Sequence, residues 1–558
     1  MMKRRYSIIA ATLLTAGALL TTTACSNDDT VIDNPTSVAA SGQDIQFTAT
    51  LAPKGDDGAQ TRAITTGIDE GGKEILNVAW AEGEQVAIYY QKTDETYATA
   101  TATVGTPNGD GSAPITATLT NAKGGTAKFV YPATLANTTG DINEAALLSQ
   151  NGNLTGANGI STKFDAATGE GTITVSGSEA SVSGTVTMTN RVCICKFHFD
   201  IVESASGTVG PEREFSPVII RDGNGHTYTI TSDRQGDVST RGFKRSDDIY
   251  IAMLPISGKT VSFYTKYSNH YLFTASNTTL TAGKFYRNLS IDMVKDNSGQ
   301  GDKYRDLRDG SITANDGDII YQRVNTSATD KTITIPDGAT VTLAGVNISA
   351  TGSAGIICSG NATINLEGTN IVTTSAENYP AVQVGPTDKT LTIQGRGSLT
   401  ATGAHDGAGI GGGKYFNCGN ITINGGTITA TGGRYTAGIG SGAGQIIKER
   451  IEGSCGTITI NAGTIVATGG YNGAGIGSGY FSKYGSIVIS DGISSITATP
   501  GSEAQAPIGM GKQDQGSGGV TVDGVANWSG AETTHLNWTA SAVQNNGYNV
   551  TRWTLKHK

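Results

Sequence analysis

The chain has 558 residues, a formal net charge of −9 and a sequence pI of about 5.3, a balance that argues against nucleic acid, which wants a basic face. Its length suits about three or four domains. Glycine is abundant at 77 residues while aromatic content is 6% and charged content 16%. With Thr, Val, Ile and Ala alternating throughout, this composition indicates many short strands and tight turns.

The first residues are Met-Met-Lys-Arg-Arg, followed by an apolar run from Ser7 to Leu20 and then Thr-Thr-Thr-Ala-Cys ending at Cys25. A basic start, a short apolar core and small residues before a cleavage point make a secretory signal over 1–24. The run is too short to span a membrane, which takes roughly 20 apolar residues. Cys25 directly after Ala24 resembles the lipobox of bacterial lipoproteins, which implies acylation of Cys25 and anchoring in the outer membrane. Ser26-Asn27-Asp28-Asp29 then resembles the acidic signal that sends such lipoproteins to the cell surface. Residues 25–42 are small and polar and read as a flexible tether.

From Gln43 the pattern changes. Asp44 to Leu51 alternates as a strand, and Thr61-Arg62-Ala63 follows in an exposed loop. Strand-like segments recur at 86–90, 126–131, 171–175, 192–201 and 249–254, without a helical period before Lys295. About 250 residues of this kind predict two β-sandwiches in series, 43–190 and 191–295. Cys193 and Cys195 are two apart on one strand, share a face and suit the core.

Thr61-Arg62, Trp80-Ala81-Glu82-Gly83-Glu84 to Tyr89, Phe129-Val130-Tyr131-Pro132, Ile251 to Ile256 and Leu280 to Tyr286 occur in that order. Together they resemble the Bacteroidales fimbrillin family, the subunits of type V pili, over roughly 43–295. The resemblance implies transthyretin-like Greek-key sandwiches and export as a lipoprotein. It further implies cleavage between Arg62 and Ala63, freeing a groove that takes a donor strand from another fimbrillin subunit.

Residues 296–303 read as a linker, and beyond them the sequence is periodic. Cys418 to Gly442 and Cys455 to Gly479 are matching units of 25 residues, Lys389 to Gly413 is a third, and 339–360, 361–385 and 484–511 are degenerate copies. Each unit holds three short alternating segments separated by glycine-containing turns. This predicts a parallel, right-handed β-helix over 304–535, with coils about 4.8 Å apart. Ile421 and Ile423, Ile428 and Ala430, and Ala437 and Ile439 should face inward, stacked under their counterparts in the next coil. The glycines should mark corners that need positive φ. Residues 536–558 read as a cap or a further strand, because Tyr548 to Leu555 alternates. The whole chain is therefore expected to be all-β, two sandwiches followed by a β-helix.

The repeat block resembles the β-helical carbohydrate-binding domains of bacterial surface proteins. Aligning the coils puts His405, Arg434 and Tyr471 in one loop column and Asp406, Tyr435 and Asn472 in the next; Tyr415 and Phe416, and Tyr480 and Phe481, fall in insertions between coils. Aromatic faces beside basic and amide groups suit a glycan receptor, and packing over glycine-rich corners or capping the insertions is an equal use of the same rings. A polysaccharide lyase on this fold would need stacked carboxylates for Ca²⁺ and a base. Asp406, Glu449 and Glu452 do not stack by period, so no enzyme activity, metal or cofactor is expected. No Cys-x-x-Cys pair occurs. Cys418 and Cys455 open matching coils, where either a disulfide or an unbridged ladder fits.

The functional expectation is a surface lipoprotein acting as an adhesive tip subunit of a pilus. A permanently anchored glycan-binding lipoprotein and a lyase are the alternatives.

Overall fold

The strand Asp44–Leu51 buries Ile45, Phe47, Ala49 and Leu51 on one face, as strict alternation requires of a strand with one wet side. The computed structural model describes residues 43–53, 65–69, 71–202, 217–232, 243, 247–266, 269–322, 327–447 and 450–558. Cys25, Arg62 and Ala63 lie outside the described residues. Gln85–Gln91, Tyr97–Val104 and Ala113–Thr120 form a meander, and Gly125–Tyr131 returns to pair with its first strand, the Greek-key order. Asp44–Leu51 pairs antiparallel with Ala113–Thr120 on one side and parallel with Glu179–Val186 on the other. Because Glu179–Val186 also pairs with Ala167–Ser176, and that strand with Gly125–Tyr131, hydrogen bonding runs unbroken round seven strands and leaves no open edge among them.

The second sheet runs Ile249–Met253, Cys193–Val202, Phe285–Lys295, His270–Leu280, Ile256–Lys266, Val218–Arg221 and Thr227–Ile230. Its last member is Ser149–Gln150, a piece of the first half of the chain. The expected division at 190 is therefore corrected: the two sandwiches interlock. The Gln150 amide donates to the carbonyls of Leu147 and Ala252 and accepts from the Ala252 N–H, tying the crossing segment in place. Val130, Leu147, Phe164, Ile194, Tyr250 and Leu254 belong to one buried cluster that joins the halves.

From Tyr304 onward the chain is a parallel β-helix. Ile421 and Ile423 pair with Leu391 and Ile393 in the coil below and with Ile458 and Ile460 above; Ile428 lies between Leu399 and Ile465, and Ile439 between Ile410 and Ile476. All of these are fully buried, a continuous apolar column. The glycines meet the expectation in part. Gly426 and Gly463 do turn a corner at φ +85° and +108°. At Gly433 and Gly470 glycine is required instead by close stacking: a Cβ on Gly433 would lie 1.7 Å from the Ala404 carbonyl oxygen, and one on Gly470 1.7 Å from that of Gly433. Leu536–Asn545 and Tyr548–His557 make a hairpin that turns at Asn546 and Gly547, and the second strand pairs antiparallel with Ile493–Thr499 of the last full coil. Trp528 and Trp538 pack against Trp553 beneath it, closing the column.

Residues 296–303 are not a free linker. Asp296 accepts hydrogen bonds from the N–H groups of Ser298 and Gly301, and Tyr304 stacks on Tyr264 of the second sandwich at 3.9 Å. Ile219, Tyr264, Ile319, Tyr321 and Ala344 form one buried cluster with Tyr304 across the seam. Arg221 of the sandwich reaches Glu367 of the β-helix at 3.4 Å.

Burial pushes the Glu367 carboxyl up to about 7, partly opposed by Arg221. A folded pKa raised above the ordinary 4.5 means that the seam is at full strength below about pH 4.5 and weakens as pH rises through about 7. Glu367→Gln is therefore expected to flatten the fall in melting temperature between pH 5 and pH 8. An unchanged pH profile in the variant would show that Glu367 does not control the seam.

Candidate functional site

The third side of each coil is very short. Ile410–Gly411, Ile439–Gly440, Ile476–Gly477 and Ile508–Gly509 are two-residue strands. The corner loops before these strands and the insertions after them therefore meet over one surface. Tyr480 N–H donates to the Tyr435 carbonyl at 2.8 Å, Tyr415 N–H to that of Ala443 at 2.9 Å, and Lys414 N–H to that of Asn378 at 2.9 Å.

This arrangement gathers the sequence-selected side chains into a ridge. His405 meets Tyr435 edge-on at 5.1 Å, Tyr435 meets Tyr480 at 5.8 Å, and Tyr480 meets Phe481 at 4.6 Å. The Arg434 guanidinium lies 5.4 Å from the Tyr435 ring and 5.9 Å from that of Tyr471, within cation–π range. Tyr415 sits beside Lys414, and Lys414 reaches Asp406 at 2.7 Å; the His405 ring bonds the same carboxylate at 3.0 Å. Tyr415 is 40% exposed and Phe416 50%. Asp406 and Asn472, which alignment placed in a loop column with Tyr435, are turned in and buried. Asp406 thus holds Lys414 and the His405 ring in place and is withdrawn from solvent.

Tyr415 and Phe481 occupy corresponding insertions, and both hold positive φ, +61° and +50°. Bulky residues rarely adopt this conformation, which costs on the order of 1–3 kcal/mol and is found where the surroundings enforce it. Cys418, at the base of the first insertion, is joined to Cys455 by a disulfide, with Cα atoms 4.6 Å apart. Of the two arrangements open from sequence, the structure adopts the bridged one. The insertion over 443–454 carries a small hairpin, Gln445–Ile447 with Arg450–Glu452.

Two aromatic members escaped sequence reasoning. Tyr379 faces Phe416 at 6.5 Å, from a coil too degenerate to align residue by residue. Tyr548 meets Tyr471 at 5.4 Å from the terminal hairpin. The Asn545 amide holds that hairpin down by donating to the carbonyls of Gly469 and Pro500. No local signal could have found Tyr548, since its place depends on the hairpin folding back. Tyr471 also donates to Glu503 at 3.3 Å, and Glu503 pairs with Lys512 at 2.8 Å.

Away from the ridge, Asp491, Asp523 and His535 converge beside the cap. The Asp523 carboxylate bonds the His535 ring at 2.9 Å and raises its pKa, while the imidazole and neighbouring donors hold Asp523 well below the usual carboxylate range. The contact ties His535, at the start of the hairpin, to Asp523 through both its ring and its backbone N–H. A cleft of about 290 Å³ lies at the seam between sandwich and β-helix, lined by Lys266, His270, Asp302, Tyr304 and Arg305. Across it Lys266 pairs with Asp309 at 3.5 Å, and the His270 ring lies 3.4 Å from Asp302, with burial and Lys266 favouring its neutral form.

A family model described as a beta helix repeat matches residues 391–414, 421–443 and 458–480, the three coils that carry most of the ridge. No curated protein matches the sequence. Among solved structures, the chain is similar to a candidate cell adhesion protein of Bacteroides fragilis at 12% identity and TM-score 0.26, covering 46% of this chain and 94% of that one. It is similar to a fimbrial protein of Bacteroides ovatus at 12% identity and TM-score 0.21, covering 43% and 50%. A fimbrial assembly protein of Parabacteroides distasonis matches at 12% identity and TM-score 0.21, covering 46% and 93%.

Proposed function

We propose that this chain is an exported, surface-displayed adhesive subunit of a pilus, anchored through acylated Cys25 until a protease cuts between Arg62 and Ala63. The sandwiches accept a strand from a neighbouring subunit, and the β-helix presents the ridge to a glycan. The observation that carries the assembly half of this reading is the position of Asp44–Leu51. It is the first described strand, it lines the core, and it has a pairing partner on each side. Its departure would leave an apolar slot between two backbone edges, the form that strand addition fills. The cap supports a terminal place in the fibre, because Tyr548–His557 is engaged on the last coil and not free as a donor. A binding and non-catalytic role for the ridge is supported by its carboxylates, since Asp406 and Glu503 are each held by a lysine.

The test is the N-terminal sequence of the protein recovered from the cell surface. Ala63 is expected, and Arg62→Ala should block incorporation into fibres while leaving the monomer folded. An N-terminus at acylated Cys25 in the mature form would replace the pilus reading with that of a permanently anchored lipoprotein.

A further inference from the structure

We infer that the glycan bound at the ridge is acidic, with sugar rings that carry carboxylates, and that Arg434 is the residue that receives the anionic group. This rests on the carbohydrate-binding reading above and goes beyond it in naming the ligand class and the residue that selects it.

Two lysines of the ridge are already engaged. Lys414 is bound to Asp406 at 2.7 Å and Lys512 to Glu503 at 2.8 Å. The His405 ring also bonds Asp406. Arg434 is exposed, and among the described residues no carboxylate lies within ion-pair distance of it. Its neighbours are instead the rings of Tyr435 and Tyr471. Aromatic neighbours restrict a guanidinium without neutralising it. They leave its planar fork of donors for a bidentate acceptor, and a carboxylate matches that fork in geometry.

Tyr471 is pinned by its hydroxyl to Glu503 and by its edge contact with Tyr548, and Tyr435 is wedged between His405 and Tyr480. Two fixed phenol rings therefore straddle one uncompensated cation. An aromatic ring offers an apolar face with a polar tip, which suits the C–H face and hydroxyls of a sugar. A ligand that satisfies both features at once has a ring and an anionic group on the same unit.

At −9 the protein repels polyanions at long range. Non-specific attraction therefore does not account for binding of an acidic polymer, and recognition has to be local. Such binding should weaken with added salt because one contact is ionic.

The experiment uses the full folded protein and a panel of uronic-acid polymers, namely polygalacturonate, alginate and hyaluronan. Each is offered alongside its carboxyl-esterified form, with poly-glutamate as an anion that has no sugar ring. The expected result is binding to at least one acidic polymer and at least tenfold weaker binding to its ester. Arg434→Gln should lose at least tenfold for the acidic form and much less for the ester, and Arg434→Lys should fall between. Tyr435→Ala should weaken both. Equal binding of acid and ester, unaffected by Arg434→Gln, would overturn the acidic assignment and leave glycan binding intact. Equal binding of poly-glutamate would overturn it in favour of bare charge recognition. Absence of binding to every acidic and esterified polymer would overturn both readings together. Unchanged melting temperatures of the variants establish that losses are local.

Discussion

A chain that begins at Ala63 is expected to lose the cooperative melting of its first sandwich and to regain it when a peptide with the sequence of Asp44 to Leu51 is added. The strand contributes Ile45, Phe47 and Leu51, all essentially buried, to a core that also holds Phe129, Val86 and Ile115. Burying each such side chain is worth about 1.5–3 kcal/mol, so three of them approach the whole stability of a typical domain, roughly 5–15 kcal/mol. The loss is larger than this sum, because Ala113–Thr120 and Glu179–Val186 would both be left with unpaired backbone groups along the vacated slot. Trp80 provides the readout. Its indole donates to the Ala52 carbonyl at 3.3 Å, just beyond the strand, while the other tryptophans, Trp528, Trp538 and Trp553, sit in the distant cap. Fluorescence of Trp80 should shift to that of an exposed indole in the shortened chain and return with the peptide; Trp80→Phe serves as the control. If the shortened chain melts as the parent does, with or without peptide, Asp44–Leu51 is dispensable and strand replacement has no physical basis here.

The second large effect is expected in the β-helix, where Ile423→Asp should lower the melting temperature by about 10 °C or more and Thr422→Asp should change it little. Ile423 is fully buried between Ile393 and Ile460. A carboxylate there has no partner, and an unpaired charge placed in a core costs several kcal/mol even after its pKa shifts. Thr422 lies half-buried on the opposite face, between Thr392 and Thr459, where an aspartate can reach water. Each coil buries its column only against its neighbours, so damage at Ile423 also weakens the coils above and below. The insertions that carry Tyr415 and Phe481 should lose order with them, and glycan binding should fall in the same variant. Equal melting of the two variants would mean that the register of the coil is reversed.

The inward set of the coils was legible because two conditions coincide. Alternation assigns a face within each segment, and near-identical units repeat that face at a constant offset, so Ile421, Ile428 and Ile439 predict Ile458, Ile465 and Ile476. The face of the first strand was legible for the first of these reasons alone. His405, Arg434 and Tyr471 could be set in one column since they occupy matching positions of successive repeats. Only the tertiary structure decided features in which distant parts of the chain meet without any shared pattern. Glu179–Val186 closes the first ring beside Asp44–Leu51, and Ser149–Gln150 crosses into the second sheet. Tyr264 stacks on Tyr304 at the seam, where sequence read a linker of small polar residues. Tyr548 joins the ridge only because the hairpin folds back over the last coils. The glycines teach the same lesson at atomic scale: a sequence reports that a side chain is missing at Gly433 and Gly470, but the backbone oxygen that forbids one there belongs to another coil.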